Sequence, residues 1–174
     1  MDPVDVVIVG AGISGISAAV HLGKQCPELK VVMLEARGAV GGTWDLFRYP
    51  GVRSDSDMHT LGFAFKPWTA AKAIADGPSI RSYLHETMDE YALASLVRFH
   101  HKVLGADWDS GSKRWSLRVD TPQGKSVIAT RFLFMCGGYY RYDQAYEAPI
   151  PGLDSFAGQR VHPQFWPEDL DYAG

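Results

Sequence analysis

Residues 4–35 read VDVVIVGAGISGISAAVHLGKQCPELKVVMLE, and this stretch decides the fold. Residues 4–9 form a short, mostly β-branched run, which predicts a strand buried on both faces. A glycine turn follows, then a helix predicted over 13–24 with Pro27 just beyond its end, and a second buried strand over 30–34. Strand, turn, helix and strand in this order predict a right-handed βαβ unit, and therefore an α/β fold with a parallel sheet.

The turn after the first strand fits the pattern GxGxxG at Gly10, Gly12 and Gly15. In this pattern the first glycine permits the tight turn, the second lets a pyrophosphate approach the backbone, and the third lets the helix pack closely on the strand. Glu35 ends the second strand, where a carboxylate can accept hydrogen bonds from ribose hydroxyls. Because a carboxylate would repel a 2′-phosphate, the pattern predicts a site for FAD or NAD rather than NADP. The alternative is a structural turn with a surface glutamate.

The rest of the sequence predicts an interruption of the parallel sheet. Residues 38–68 are rich in Gly, Pro, Asp, Ser and aromatic residues with little periodicity, which is typical of a functional loop. A helix is predicted over 78–94, and strands over 97–103, 105–108, 114–120 and 125–136. Alternation of apolar and polar residues around Trp115 indicates an antiparallel strand, and Trp108 and Trp115 are expected in its core. The apolar run at 132–136 predicts a return to the buried parallel sheet.

Composition and charge argue against several classes of function. The chain has 174 residues, a formal net charge of -3 and a pI near 6.0, so it has no basic surface for nucleic acid. Its apolar run at 6–9 is too short for a signal peptide or a membrane span, and we expect a cytoplasmic protein. Cys26 and Cys136 lack metal or CxxC spacing, so we predict two buried, reduced thiols and no metal site. No GxSxG elbow surrounds Ser14, which is therefore not expected to be a nucleophile.

Three further motifs carry a resemblance to a known family. They are GGTWDLFRYPG over 41–51, RSDSDMHTLG over 53–62, and FxGxxxHxxxWP, whose fixed positions are Phe156, Gly158, His162, Trp166 and Pro167. Over essentially its whole length the chain resembles the class B flavin monooxygenases, and within them the Baeyer–Villiger group. The resemblance implies the Rossmann-like FAD-binding domain of two-dinucleotide-binding flavoproteins, with an antiparallel β-meander insertion, over 1–138. It further implies that 139–174 is a connecting segment toward an NADPH domain outside this sequence, so that the fold is incomplete at its C-terminus.

The resemblance also implies roles for individual residues. The residues implied to contact the cofactor are Gly10, Gly12, Ser14, Gly15, Glu35, Gly42, Thr43, Trp44, Asp45, Leu46, Arg53, Ser54, Asp55 and Val103. Asp55 would lie beside the flavin and position a catalytic arginine that this sequence does not contain. The alternative is that Asp55 caps a turn in a loop rich in Ser and Asp. His162 would form a hydrogen bond across a hinge made by the FxGxxxHxxxWP residues.

The activity implied by the resemblance is that of an FAD-containing, NADPH- and O2-dependent monooxygenase. Such an enzyme converts ketones to esters or lactones, or oxygenates sulfur compounds. We expect the 174 residues alone to be inactive, because they hold one GxGxxG turn and lack the catalytic arginine. Two alternatives stay open: a stand-alone FAD-binding module without oxygenase activity, and a related FAD-dependent N-hydroxylase or reductase. The motif around His162 disfavours the latter.

Overall fold

This computed structural model describes residues 4–172. They form one mixed sheet with helices packed on it, followed by an irregular segment after the last strand. The strands are β1 Val4–Val9, β2 Val31–Leu34, β3 Val97–Arg98, β4 Lys102–Asp109, β5 Arg114–Thr121 and β6 Gly124–Met135. The α-helices are α1 Ile13–Gln25, α2 Thr43–Leu46, α3 Met58–Leu61 and α4 Gly77–Glu90, and short 3-10 helices lie at Leu93–Leu96, Leu153–Ser155 and Pro163–Phe165. The strand order is β3-β2-β1-β6-β5-β4.

The long strand β6 joins the two parts of this sheet. Up to Thr130 it pairs antiparallel with β5, and from Thr130 to Met135 it pairs parallel with β1. The predicted meander and the predicted return to the parallel sheet are both confirmed, although a single strand provides them. The predicted burial of that return is wrong, because Phe132 and Phe134 are 49% and 42% exposed. Within residues 4–172 no strand pairs with the other edge of 131–135, so that edge and the face of the two phenylalanines are uncovered.

The strands predicted at 97–103 and 105–108 divide differently in the structure. β3 has only two residues, and β4 continues through Gly105 with a shift of register between Val103 and Gly105. Trp108 is 47% exposed on this outer strand rather than in the meander core, although its ring centroid lies 5.4 Å from that of Trp115. An outer strand has a neighbour on one side only, which explains the exposure of Trp108.

The two cysteines differ from the prediction in one respect. Both Cys26 and Cys136 are free thiols, as expected, but both are only partly buried. Partial burial raises the pKa of the Cys136 thiol, which keeps it protonated and unreactive at neutral pH.

Helix α4 holds the loop at 38–68 in place. The backbone N–H of Phe63 donates to the Tyr83 hydroxyl at 2.8 Å, and that hydroxyl donates to the Lys66 carbonyl at 2.5 Å. The Phe63 and Tyr83 rings also stack at 5.5 Å. The loop is therefore folded around a buried tyrosine of the helix, in agreement with its aromatic composition.

Glycines in the first turn allow α1 to lie close to the sheet. Gly10 has a φ of +99°, and a Cβ there would overlap the carbonyl of Cys136. A Cβ on Gly15 would overlap the carbonyl oxygen of Gly10. This close approach lets Ile16 and Val20 of α1 reach full burial against the sheet.

We expect Gly15→Ala to lower the free energy of unfolding by about 1–3 kcal/mol, because the added methyl group must displace backbone atoms. Chemical denaturation followed by circular dichroism measures this change. Gly23→Ala in the same helix is the matched control, since a Cβ there meets no described atom within 4 Å beyond the adjoining residues and backbone of α1. The control should gain about 0.5–1 kcal/mol from helix propensity. Equal effects of the two substitutions would show that Gly15 has no special packing role.

Candidate dinucleotide-binding site

A cleft of about 950 Å³ opens at the carboxyl ends of β1 and β2. Helix α1 begins at this cleft, and no side chain caps its N-terminus at Gly12. Unpaired backbone N–H groups and the positive end of the helix dipole therefore face the cleft. The predicted site residues that line it are Gly10, Gly12, Ser14, Glu35, Gly42, Thr43, Trp44 and Val103. The predicted site residues that do not line it are Gly15, Asp45, Leu46, Arg53, Ser54 and Asp55.

Two glycines face each other at the bottom of the cleft. A Cβ on Gly12 would lie 3.6 Å from the Cα of Gly42, and a Cβ on Gly42 would lie 3.0 Å from the Cα of Gly12. The two loops are joined by a hydrogen bond from the Gly41 N–H to the Ala11 carbonyl at 2.9 Å. Any side chain on Gly12 would fill the space between the loops, so the pair forms a floor that only glycines leave open.

Glu35 ends β2 and is 7% exposed. Its Oε2 accepts a hydrogen bond from the Ala11 N–H at 2.8 Å, and its Oε1 accepts one from the Arg37 N–H at 2.8 Å. Each carboxylate oxygen can accept a second hydrogen bond. Glu35 therefore fixes the glycine turn, a role that the spacing alone did not predict, and it keeps acceptor capacity for ribose hydroxyls.

Asp45 is a buried carboxylate with three arginines around it, and it is 5% exposed. Its Oδ2 lies 2.7 Å from Nη2 of Arg37, and its Oδ1 lies 2.8 Å from Nη2 of Arg48 and 3.6 Å from Nη1 of Arg81. Arg37 follows β2 and Arg81 lies on α4, so Asp45 connects the loop of the glycine pair to both elements. The cluster has a net positive charge beside the cleft. A direct cofactor contact at Asp45 stays a prediction, because this carboxylate is occupied by the arginines.

Asp55 and Asp57, both in the loop before α3, have different surroundings. Asp57 caps α3, since its Oδ1 accepts a hydrogen bond from the Thr60 N–H at 3.0 Å, and the hydrogen bonds from Thr60 lower the pKa of Asp57. The Ser54 hydroxyl accepts the turn hydrogen bond from the Ser56 N–H at 3.1 Å. Asp55 is exposed, and among residues 4–172 its carboxylate has no hydrogen-bond or ion-pair partner. The capping alternative thus fits Asp57 and not Asp55.

Residues 139–143, directly after β6, form the outer wall of the cleft. Tyr142 is partly buried there, and the guanidinium of Arg37 lies 5.7 Å from the centroid of its ring. Burial raises the pKa of the Tyr142 hydroxyl, and a hydrogen bond with Thr43 acts in the opposite direction. No motif predicted this contact, because Tyr142 lies between the recognised motifs. Only the course of the chain after β6 places it at the cleft.

The FxGxxxHxxxWP residues lie in an irregular segment outside the cleft. His162 is exposed, and its Nδ1 accepts a hydrogen bond from the Gln164 N–H at 3.1 Å. Among the described residues this bond is local and crosses no hinge. Buried Gln164 makes the longer link, because its Nε2 donates to the Arg141 carbonyl at 2.6 Å. Of the other predicted hinge residues, Phe156 and Gly158 are exposed, and Trp166 and Pro167 are partly buried.

Comparisons with known proteins agree with this geometry. Residues 8–77 match the family described as "NAD(P)-binding Rossmann-like domain". The FAD-containing monooxygenase EthA of Mycolicibacterium smegmatis is 59% identical over 170 residues, which are 98% of this chain and 35% of that protein. The probable FAD-binding monooxygenase AlmA of Acinetobacter baylyi is 51% identical over 172 residues, again 98% of this chain and 34% of that protein.

Over nearly its whole length this chain is similar to the N-terminal third of FAD-containing monooxygenases. The chain accordingly spans about a third of the length of the curated relatives it matches. Solved structures give the same result. A steroid monooxygenase bound to NADP has a TM-score of 0.80 at 35% identity, and the match covers 98% of this chain and 32% of the steroid monooxygenase chain. A cyclohexanone-bound cyclohexanone monooxygenase has a TM-score of 0.79 at 30% identity, and the match covers 99% of this chain and 33% of the cyclohexanone monooxygenase chain. The resemblance to the Baeyer–Villiger flavoproteins and the predicted Rossmann-like fold are both confirmed.

Two kinds of feature are not found in the part of the chain that the structure describes. Between residues 4 and 172, none of the helices has the length and hydrophobicity needed to cross a membrane. In the same residues no three His, Cys, Asp or Glu side chains come together as a possible metal site.

Proposed function

We propose that this chain provides the FAD-binding part of an NADPH- and O2-dependent monooxygenase of the Baeyer–Villiger type. One observation carries the proposal: the glycine turn, Glu35 and Gly42 line a single cleft at the carboxyl ends of two parallel strands. The FAD-containing relatives, and a structural neighbour solved in complex with FAD and NADP, support FAD as the ligand of this cleft. The substrate that we propose for the whole enzyme is a small ketone or sulfur compound.

The residues of the cleft fit a dinucleotide. Bound FAD would supply the redox chemistry with O2, and this chain would bind and orient it. The N–H groups at the start of α1 would receive the diphosphate, and Glu35 would accept from the ribose hydroxyls. Gly12 and Gly42 leave a floor that a Cβ would fill, so a phosphate can approach the backbone there. We place the NADPH site and the catalytic arginine outside these residues, and we propose the cytoplasm as location because both cysteines are free thiols.

Titrating the 174-residue chain with FAD, followed by quenching of flavin fluorescence, tests the cofactor proposal. We expect saturable binding of FAD, and we expect NADP⁺ not to compete because Glu35 repels a 2′-phosphate. The matched comparison is NAD⁺, which lacks that phosphate and should compete weakly. Binding of NADP⁺ in preference to FAD would overturn the assignment.

A second candidate function is an FAD-binding module without oxygenase activity, because the 174 residues hold a single GxGxxG turn. A chimera separates the two candidates: this chain replaces the matching N-terminal third of the M. smegmatis relative. Steady-state NADPH oxidation is then measured with phenylacetone, and the products are analysed by gas chromatography. Ester formation by the chimera and none by this chain alone supports the monooxygenase proposal. Failure of a folded, FAD-loaded chimera supports the module.

In that chimera we expect Asp55→Ala to leave the FAD content unchanged, to slow ester formation at least tenfold, and to raise release of hydrogen peroxide. The reason is that an arginine stabilising the negative charge of the reaction would lose its positioning partner, an effect of about 1.5–3 kcal/mol for a charge-assisted pair. Asp57→Ala is the control, because it removes only the cap of α3 and should lower stability without raising peroxide release. Unchanged ester and peroxide yields in Asp55→Ala would remove Asp55 from the catalytic machinery.

A further inference from the structure

Tyr142 lies in the segment after β6 and lines the cleft. A Cβ added to Gly42 would lie 3.6 Å from the Tyr142 hydroxyl, and one added to Gly138 would lie 3.9 Å from it. Thr43 lies close enough to lower the pKa of that hydroxyl, against the opposite effect of burial. The phenol therefore lies beside the glycine floor, at the position where the backbone is open to a ligand.

The ring of Tyr142 lies against the guanidinium of Arg37, which an ion pair holds in place. The guanidinium of Arg37 lies 5.7 Å from the ring centroid, within the range of a cation–π contact. Asp45 holds that guanidinium at 2.7 Å, and a further hydrogen bond of 3.4 Å joins it to the Gly42 carbonyl. Burial raises the pKa of the Tyr142 hydroxyl, so the hydroxyl keeps its proton and remains a donor at neutral pH.

Both neighbours of Tyr142 along the chain contact other parts of the molecule. Gln164 donates a hydrogen bond of 2.6 Å to the Arg141 carbonyl, and Lys102 of β4 lies 3.4 Å from the Asp143 carboxylate. In contrast, Tyr146, only four residues along the chain, is 81% exposed. The chain therefore holds one tyrosine of this segment against the cleft and leaves the other in solvent.

We propose that Tyr142 is a further binding residue of the cleft, and that residues 139–143 form a strap that retains FAD. The Tyr142 hydroxyl donates to the bound ligand, and its ring shields the glycine floor from water. This inference rests on the proposed function, in which FAD occupies the cleft. With Tyr142 in place the cleft still measures about 950 Å³, at the upper end of the roughly 300–1,000 Å³ of ligand pockets. Retention thus fits the geometry better than obstruction.

The dissociation rate of FAD tests the strap, because a retaining contact and an obstructing contact change that rate in opposite directions. FAD-loaded chain is diluted rapidly to a concentration below the dissociation constant, and the change in flavin fluorescence is followed by stopped flow. We expect Tyr142→Ala to speed dissociation roughly tenfold, and Tyr142→Phe to speed it about threefold, as for the loss of one hydrogen bond. Gln164→Met should have an intermediate effect, because it releases the strap without touching the cleft.

Tyr146→Ala is the matched control and should leave the dissociation rate of FAD unchanged. Circular dichroism identifies any variant that fails to fold, and Tyr142→Phe keeps the ring if Tyr142→Ala proves unstable. Unchanged or slower dissociation, or tighter binding, in both Tyr142 variants overturns the strap proposal while leaving FAD binding intact. If the unaltered chain shows no saturable FAD binding, the proposed function fails first, and the strap fails with it.

Discussion

Gly12→Val should abolish saturable binding of FAD by this chain. Gly12 lies on the floor of the cleft opposite Gly42, and a valine side chain would fill the space through which a diphosphate reaches the helix N-terminus. The backbone of Gly12 has a φ of -82°, which any residue adopts, so the substitution should not strain the backbone at this position. The change therefore removes the binding site and keeps the structure, and fluorescence titration with FAD measures it.

The control for this experiment is Gly23→Val in the same helix. Position 23 is exposed, and beyond the adjoining residues and backbone of α1 no described atom lies within 4 Å of a Cβ there, so FAD binding should be unchanged. Gly12→Ala provides a graded comparison, because its single methyl group intrudes less than valine does. Unfolding curves of all three variants separate a loss of FAD binding from a loss of the folded structure. Normal FAD binding by Gly12→Val would show that the ligand does not reach this turn.

Asp45→Ala should lower the free energy of unfolding by about 3 kcal/mol. Removal of one member of a buried charge cluster leaves the others unpaired, which costs about 3–5 kcal/mol. The lower value applies because the side chains of Arg37, Arg48 and Arg81 are 29%, 46% and 36% exposed and stay partly solvated. The three arginines would also repel one another once the carboxylate is gone. Denaturant unfolding followed by circular dichroism measures the change.

Asp107→Ala is the corresponding control. Asp107 pairs with Arg118 across the meander, and both side chains are more than half exposed. Removing such a surface pair changes stability by about 0–1 kcal/mol. If the Asp45 and Asp107 substitutions have similar effects, the arginine cluster does not stabilise the glycine-pair loop.

The parts of the site that the sequence predicted are those in which local geometry fixes the residue type. A tight turn, a close helix and an approaching phosphate each require a glycine, so the spacing of Gly10, Gly12 and Gly15 was readable without the fold. Glu35 was predicted for the same reason, because the end of the second strand is a fixed distance along the chain from that turn. The strand–helix–strand order followed from apolar runs alone.

The parts that the sequence did not predict depend on partners distant along the chain. Arg81 meets Asp45, and Gln164 meets Arg141, only after α4 and the C-terminal segment have folded back on the sheet. Composition also misled in one place. The apolar run ending at Met135 predicts a buried strand, but composition does not state which element covers it, and within the described residues its outer face has no cover.

Because β6 is continuous, the alternation of its side chains in the meander also fixes which residues reach the cleft. This twelve-residue strand pairs in register with β5. It also places the carbonyl group of Cys136, the next residue, where it would overlap a Cβ on Gly10. One residue inserted within β6 would move every later side chain to the opposite face and shift Gly137 and Gly138 out of the cleft. One residue inserted into the hairpin at 121–124 would be absorbed by the turn. Among the relatives of this chain, changes of length should therefore occur at the hairpin tip and be absent from the strand that follows it.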